Sequence, residues 1–466
     1  MSLLDVPHPR RFSELAVLGV GLFAAAQVAY SASTGNSGKA VLRVAKDTAA
    51  ESASIQAAVA PTPPQAAIRV GPGVYEEAFA DLYEVLGREY PCFAIKGIDW
   101  KAVGKELLPR AKQVQTLSEF GLLCLELVAR LEDSHAQLGR GTASPPVIPL
   151  PRFDPGFACL LDDRNKPVVY HVDRGGPAEQ AGVRVGVTVL SIQGQPAEEA
   201  LAAQMKQLSR YVGYSSDRYL RYHAAQFLPR QMQRGSPVAL EVQDTEGQTH
   251  KFNLPATLDV RYLPRLPVPI PGIRDSGNVS WTVLPTGRDS RSPAKIGYIY
   301  VRRIQSDLLA QLDRAVGELQ DARGLVIDVR GNSGGGFDAP RAHRNFALDD
   351  KAEPDRPRFR GPIALLIDSR CISAGEGWAS WFVSTKRARL FGEATSGASS
   401  RKRTYTLKNG LFTVTFPVKA YTCFLDRPIE RRGLEPHVPV RQNARDLAAG
   451  RDTVLEAARQ YLLEQK

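Results

Sequence analysis

The sequence is poor in cysteine, and its cysteines do not form a recognisable pattern. Five of them are scattered over 466 residues, with no C-x-x-C spacing among them. They are Cys92, Cys124, Cys159, Cys371 and Cys423. This scatter excludes the usual structural zinc motifs, and the mostly apolar surroundings favour free buried thiols over a disulfide framework. We therefore expect neither a metal nor another cofactor.

The sequence also lacks a long block of basic residues. Its net charge of +11 is spread along the chain, without the interleaved aromatic and basic residues of nucleic-acid-binding surfaces. A nucleic-acid partner is therefore not expected. The apolar fraction of 43% and the charged fraction of 23% are ordinary for a soluble protein. A chain of this length can bury more than one core and should hold two to four domains.

The N-terminus has the layout of an export signal. The basic lead His8–Arg11 precedes the apolar run Leu15–Ala32, and small residues follow at Ser31–Ser33. The run is nearly long enough to remain as a membrane anchor, so both readings stay open. We expect a signal peptide or anchor over residues 1–33 and a flexible linker over residues 34–65. The protein is then expected in the periplasm or outside the cell.

Residues 66–147 are predicted to form a helical domain. Apolar residues recur there at spacings of three and four, as in Phe79–Tyr90 and Phe120–Leu131. Asp99 is placed to cap a helix between them. The domain ends in Asp133-Ser134-His135. A single histidine is more often structural than catalytic, but this one stands at the end of an element beside two polar residues.

Residues 148–260 change to short strands separated by glycine and proline turns. The segment Gly175–Val183, followed by Gly186 and Leu190–Gly194, resembles the PDZ domains of bacterial proteases. The resemblance implies a PDZ-like domain in which Gly156 and Phe157 present backbone N–H groups to a peptide's terminal carboxylate. The alternative is a domain that only packs between its neighbours. Val187 departs from the aspartate that is usual at its position.

Residues 261–466 alternate between strand and helix patterns. A buried strand over Gly324–Val329 runs into the glycine-rich stretch Arg330–Phe337. No Lys-Ser/Thr pair follows these glycines, which argues against a phosphate loop and favours an oxyanion hole. The chain is predicted to end in one helix over Ala444–Leu463.

A second buried strand, Pro362–Ile367, is followed by a polar turn and a helix that starts at Ala374. Ser373 therefore stands where a strand hands over to a helix, next to unpaired backbone N–H groups. The simpler interpretation is that Ser373 only caps the helix, with Glu376 completing a capping box.

Four of these motifs occur in the order found in the tail-specific, or C-terminal processing, serine peptidases. They are Asp133–His135, the PDZ-like segment, Asp328–Gly335, and Ser373–Glu376 with Gly392–Thr395 after it. The resemblance implies an α+β multidomain protein with an α/β peptidase core of the ClpP/crotonase type. It also implies that the chain is a serine endopeptidase acting on proteins or peptides.

The resemblance further implies which residues catalyse the reaction. One branch of the family uses a lysine after the Gly-Glu-x-Thr-x-Gly run, but here Ala398 follows Gly397, and Lys402 is the remaining candidate. The tricorn-like branch uses a Ser-His pair and a late glutamate, which Ser134-His135 and Glu430 match. The implied roles are Ser373 as nucleophile, His135 as base, Ser134 and Glu430 as orienting groups, and Gly334 or Gly335 with Ala374 as oxyanion donors.

Other residues are alternatives for the catalytic roles, and a different function is also open. His343 is a rival base, although flanking charges suggest that it lies on a solvated helix face, and Cys371 is a rival nucleophile. Arg431 and Arg432 are candidates for binding a substrate's carboxylate, since a guanidinium matches two carboxylate oxygens. A non-catalytic binding protein on the same scaffold, either a carrier of hydrophobic ligands or an adaptor, is the alternative function.

Overall fold

The computed structural model describes residues 70–261, 263–273, 277–285, 295–336, 343–348 and 356–465. The expected signal segment and linker lie outside these residues. Of the described residues, backbone contacts assign Pro146–Pro149 to a different unit from the rest. This segment has no regular secondary structure. No helix in the described residues is long and apolar enough to span a bilayer.

The helices of the described residues are α1 (Pro72–Glu89), α2 (Phe93–Lys96), α3 (Trp100–Ala111), α4 (Leu117–Ala129), α5 (Pro177–Gln180), α6 (Ala197–Ser209), α7 (Asp217–Phe227), α8 (Leu308–Leu319), α9 (Ala374–Ser384), α10 (Ala444–Ala448) and α11 (Thr453–Glu464). The strands are β1 (Gln137–Arg140), β2 (Phe153–Asp154), β3 (Phe157–Leu161), β4 (Pro167–Val172), β5 (Thr188–Ile192), β6 (Gln195–Pro196), β7 (Pro237–Gln243), β8 (Thr249–Pro255), β9 (Leu258–Asp259), β10 (Val279–Leu284), β11 (Ile296–Val301), β12 (Gly324–Asp328), β13 (Ile363–Ile367), β14 (Arg389–Gly392), β15 (Ser400–Thr406), β16 (Phe412–Ala420) and β17 (Val438–Pro439).

Two of the four N-terminal helices, α3 and α4, begin where polar side chains accept hydrogen bonds from their first N–H groups. Asp99 accepts a hydrogen bond from Ala102 N–H at 3.0 Å, which confirms the predicted cap of α3. Thr116 and Glu119 form a capping box at the start of α4. The apolar faces of these helices share one core with the sheet β1-β16-β15, although β15 and β16 lie almost three hundred residues further along the chain. The helices therefore depend on the C-terminal region for their packing.

The strand-rich region forms an antiparallel sheet in the order β3-β4-β5-β7-β8, with β6 paired to β5. The turn Asp173–Gly176 and helix α5 lie between β4 and β5, as the sequence pattern predicted. Helix α7, which the sequence pattern did not predict, packs against both α6 and β3. The side-chain amide of Gln226 on α7 donates to the backbone carbonyl of Cys159 on β3. The edge of β3 is thus covered by the chain itself.

The C-terminal region is built on a six-stranded sheet in the order β10-β11-β12-β13-β14-β17. Strand β10 runs antiparallel to β11, and the other neighbours are parallel. Helices α8 and α9 cover one face, and α11 covers the other. Because both faces are covered, β12 and β13 are buried at every position. The expected mixed α and β fold is confirmed.

The predicted terminal helix Ala444–Leu463 is wrong in one respect, because the structure divides it into α10 and α11. Gly450 between them has a φ of 67°, which breaks the helix in the left-handed region. Asp452 then caps α11 by accepting from Leu455 N–H at 3.1 Å. The apolar periodicity continues across the break, so it did not reveal it.

Candidate active site

Ser373 lies at the carboxyl end of the central strand β13 and caps α9. Its backbone has φ 61° and ψ −124°, an uncommon conformation for a residue with a side chain. Its N–H donates to Ala398 O at 2.8 Å and to a Glu376 carboxylate oxygen at 3.1 Å. A Cβ atom on Gly334 would come within 2.7 Å of the Ser373 Cβ, so only glycine fits beside the serine. The strand-to-helix position predicted for Ser373 is therefore the observed one.

The fully buried carboxylate of Glu376 organises the chain around this serine. Besides the Ser373 N–H, it accepts hydrogen bonds from the hydroxyl of Thr395 at 2.6 Å and from the N–H groups of Gly397 at 2.7 Å and Ala398 at 2.9 Å. Burial raises its pKa, while these donors act in the opposite direction. Glu376 thus does more than cap α9, because it also fixes the loop that follows β14.

The glycine loop after β12 lies against Ser373, but one of its expected donors is already used. Gly334 N–H donates to the side-chain oxygen of Asn332 at 2.9 Å, and Asn332 in turn donates to Val301 O at 2.7 Å. The expectation that Gly334 supplies an oxyanion donor is therefore not supported. A Cβ on Gly335 would collide with Ile304 O at 1.7 Å, so this glycine is required for the close approach. Gly335 and Ala374 remain as the expected donors.

His135 lies just beyond α4 in a buried turn, with 6% of its surface exposed. Its Nδ1 is 3.5 Å from the Ser400 hydroxyl and 4.0 Å from an Asp133 carboxylate oxygen. The same Asp133 oxygen accepts the His135 backbone N–H at 2.9 Å. Burial lowers the pKa of His135 to about 4, Asp133 opposes this shift, and the charges of Lys402 and Lys96 add to it. The imidazole is consequently neutral at physiological pH and able to accept a proton.

A four-residue segment, Gly397–Ser400, links the three candidate catalytic residues. Ala398 O accepts the N–H of Ser373, and the hydroxyl of Ser400 contacts His135. The N–H of Ser399, between them, donates to a Glu430 carboxylate oxygen at 3.3 Å. Residues that are more than two hundred positions apart in sequence are thus gathered around one short stretch of chain.

Glu430 is fully buried, but its contacts differ from those of a direct partner of His135. Its carboxylate forms an ion pair with Lys96 Nζ at 2.8 Å. The same Nζ lies 3.3 Å from Asp133 and donates to Glu132 O at 2.5 Å. Burial and the nearby Asp133 raise the pKa of Glu430, and the ion pair with Lys96 opposes this shift. Among the described carboxylates, Asp133 is the one that contacts His135.

Ser134 is also one step removed from the imidazole. Its hydroxyl accepts the N–H of Ser215 at 3.0 Å, and its own N–H donates to the Ser215 hydroxyl at 3.1 Å. Ser215 also hydrogen-bonds to Glu430. Ser134 therefore connects to Glu430 through Ser215, and the expected direct contact with His135 is not observed.

Three further members of this site were not predicted from the sequence: Lys96, Ser215 and Ser400. They come from α2, the loop before α7, and the start of β15. None of them stands in a motif. The isolated lysine in the apolar stretch Phe93–Ile98 was the single available signal.

The rival residues have other surroundings. His343 is 2% exposed, and its Nε2 lies 2.8 Å from Trp378 O while its ring stacks on Trp381. The expected solvated helix face was therefore wrong. The Cys371 thiol is fully buried, and burial raises its pKa well above the ordinary value, which opposes a thiolate nucleophile. Lys402 is exposed on β15, and its charge contributes to the low pKa of His135.

The loop that was expected to bind a substrate's carboxylate, in the strand-rich region, already binds a carboxylate of this chain. Gly156 N–H donates to the carboxylate of Asp154 at 2.8 Å, and Arg261 pairs with the same carboxylate at 2.7 Å. Phe157 is 2% exposed and belongs to β3, whose edge is covered by α7. The expectation that Gly156 and Phe157 bind a substrate's terminus is not supported in this conformation.

The two arginines beside Glu430 differ in their contacts. The guanidinium of Arg431 donates to Lys96 O at 2.6 Å and lies 3.7 Å from Glu132. Arg432 is exposed. Within the described ranges, no group of three or more His, Cys, Asp or Glu side chains could hold a metal ion.

Two family models match parts of the chain, and the curated relatives that match it are named as proteases or peptidases. A sequence model of Peptidase family S41 matches residues 295–352 and 338–440, and one of the Tricorn protease C1 domain matches residues 74–129. The chain is 28% identical over 187 residues to Tricorn protease homolog 1 of Streptomyces coelicolor, covering 36% of this chain and 17% of that protein. It is 25% identical over 284 residues to the chloroplastic C-terminal processing peptidase of Tetradesmus obliquus, covering 57% and 54%.

The solved structure of mature CPAF complexed with lactacystin resembles this fold. The TM-score is 0.59 at 13% identity, and the match covers 84% of this chain and 97% of that one. At this identity the likeness concerns the fold alone. The matches to the two curated relatives span between a sixth and about half of those proteins' own lengths.

Proposed function

Because this chain is related to the C-terminal processing peptidases of family S41, we propose that it is a serine endopeptidase with Ser373 as nucleophile and His135 as base. The observation that carries the proposal is the Gly397–Ser400 segment, which contacts Ser373, His135 and Glu430. A carrier on the same scaffold would have no need of a neutral, buried imidazole beside the serine loop.

The proposed reaction follows from these contacts. Ser373 Oγ attacks the scissile carbonyl while His135 takes the hydroxyl proton, and His135 then gives it to the leaving amine. Water repeats the sequence on the acyl-enzyme and releases the acid. The Asp133 carboxylate, 4.0 Å from Nδ1, stabilises the imidazolium that forms. The N–H groups of Gly335 and Ala374 hold the oxyanion.

We propose Arg432 as the group that favours substrates with a free C-terminus, because it is exposed beside the Glu430 segment. The test compares hydrolysis of one unstructured peptide with a free and with an amidated C-terminus. The wild type should cleave the free form faster, and Arg432→Ala should remove the difference. Equal rates for both peptides in the wild type at low salt would dismiss this preference.

The remaining parts of the proposal concern organisation and location. A helical region, a PDZ-like region and an α/β core divide the chain, and residues 1–33 direct its export. Cell fractionation and N-terminal sequencing of the purified protein test the second point.

A fluorophosphonate probe tests the peptidase assignment itself. Incubation of the full chain with the probe, followed by peptide mapping, should label Ser373. Ser373→Ala should abolish labelling and hydrolysis. No labelling of a folded wild-type protein, or labelling at another residue, would overturn the assignment.

A further inference from the structure

A buried lysine lies next to the candidate base, outside the motifs that supplied the candidate catalytic residues. Lys96 is the last residue of the short helix α2, and Gly97 follows in the left-handed conformation with φ 67°. The side chain of Lys96 is completely buried, an uncommon state for an ammonium group. Such a group is retained only where partners satisfy its charge and its donors.

Lys96 has such partners on three sides. Its Nζ is 2.8 Å from the carboxylate of Glu430, 3.3 Å from that of Asp133, and 2.5 Å from Glu132 O. The contacts with Asp133 and Glu132 O are hydrogen bonds, and the contact with Glu430 is an ion pair. Lys96 is therefore a bridge between the carboxylate beside His135 and the carboxylate in the late glutamate motif.

Both carboxylate oxygens of Asp133 accept hydrogen bonds. One oxygen accepts the backbone N–H of His135 at 2.9 Å, and the other accepts the hydroxyl of Tyr90 at 2.8 Å and contacts Lys96. Lys96, then His135, lower the pKa of Asp133, although burial alone would raise it. A carboxylate with these partners stays ionised and keeps its orientation toward the imidazole.

The charged and titratable groups around this cluster come from several elements. Those that face the Lys96, Asp133 and His135 side chains are Tyr90, Cys92, Glu430 and Lys402. Burial raises the pKa of the Cys92 thiol to about 12, so the thiol carries no charge at neutral pH. Lys96 is thus the cation in direct contact with the two carboxylates.

We propose that Lys96 is a positioning residue, whose ammonium group bridges Asp133 and Glu430 and keeps Asp133 ionised beside His135. This inference rests on the proposed function for its effect on catalysis. Without Lys96, two carboxylates share an apolar site with no ammonium between them, and a proton binds there near neutral pH. Asp133 then no longer stabilises the imidazolium unless the pH is raised.

The test uses the full chain and the substitutions Lys96→Met, Lys96→Met with Glu430→Gln, and Lys101→Met. Lys101 is an exposed lysine on the neighbouring helix α3 and serves as the matched control. For Lys96→Met we expect kcat/KM at pH 6 to fall about tenfold or more and to recover toward pH 8. The double variant, with one carboxylate removed, should have its acid limb between those of the wild type and Lys96→Met. Lys101→Met should match the wild type.

A uniform loss of activity at all pH values, or no loss, would overturn the proposal, because a purely structural lysine does not move the acid limb. Urea unfolding at pH 5 and pH 8 gives a second measurement that needs no activity. The loss in free energy of unfolding caused by Lys96→Met should be larger at pH 8 than at pH 5. A carboxyl group whose pKa is raised in the folded state destabilises the fold as the pH rises and the group ionises. An inactive wild type would end the proposed function, while this pH dependence would still decide the role of Lys96.

Discussion

At the scale of single residues, the backbone of Ser373 is the most unusual feature of the site. Its φ of 61° with ψ −124° is a conformation that glycine adopts readily and alanine does not. We therefore expect Ser373→Gly to be more stable than Ser373→Ala by about 1 kcal/mol, although both variants are inactive. Urea unfolding of the two variants measures this difference. Equal stabilities would mean that the serine conformation carries no strain.

The pKa of His135 sets the pH range of the proposed activity. Burial lowers it to about 4, so the imidazole stays neutral and able to accept a proton well below pH 6.5. We expect the acid limb of kcat/KM to lie below pH 5.5, where an ordinary histidine would already be protonated. Lys402→Ala should shift this limb upward, because its charge contributes to the low pKa. A limb at or above pH 6.5 would contradict the assignment of His135.

At the scale of elements, the start of α9 and the loop after β14 depend on one carboxylate. The Glu376 carboxylate accepts hydrogen bonds from three N–H groups and from the Thr395 hydroxyl. Glu376→Gln would place an amide NH₂, itself a donor, among these donors. We expect the free energy of unfolding to fall by about 2–4 kcal/mol. The exposed Glu435 is the control, and Glu435→Gln should change it by less than about 0.5 kcal/mol. A small effect of Glu376→Gln would show that the loop is held by other contacts.

Local pattern predicted the elements better than their contacts. The buried runs gave β12 and β13, and the strand-to-helix junction gave the place of Ser373, because burial and capping act over a few residues. The partners of His135 were not predictable in this way. Lys96 and Ser400 reach the site through contacts across long stretches of sequence, and a polar residue outside a motif gives no sign of such a contact.

At the scale of the whole molecule, the N-terminal helices and the sheet β1-β16-β15 share a core. Phe412 is fully buried and its ring stacks on Phe120 at 5.7 Å between centroids. We expect Phe412→Ala to lower the free energy of unfolding by about 3–5 kcal/mol. The loss should appear in one transition followed by both circular dichroism and tryptophan fluorescence, whereas the exposed Phe424 should tolerate alanine. Two separate transitions would show that the helices unfold independently.

The domain boundary expected at residue 147 also depends on how distant parts of the molecule pack together. Periodicity assigns Phe79 and Phe120 to helices and Phe412 to a strand, but it does not state which element each will pack against. The expected helical domain therefore has no separate core, because its apolar faces are completed by residues 405–420.

Helix α7 joins two parts of the molecule that could otherwise have opened separately. It covers the edge of β3, and immediately before it Ser216 donates to Ser396 O at 2.6 Å. Arg218 in its first turn donates to Thr395 O at 2.6 Å. A peptide that added to the edge of β3 would have to displace α7. This would also break the hydrogen bonds of Ser216 and Arg218 to the loop beside Ser373. In terms of hydrogen exchange, we therefore expect the amides of β3 and those of Gly397 and Ala398 to open as one cooperative unit.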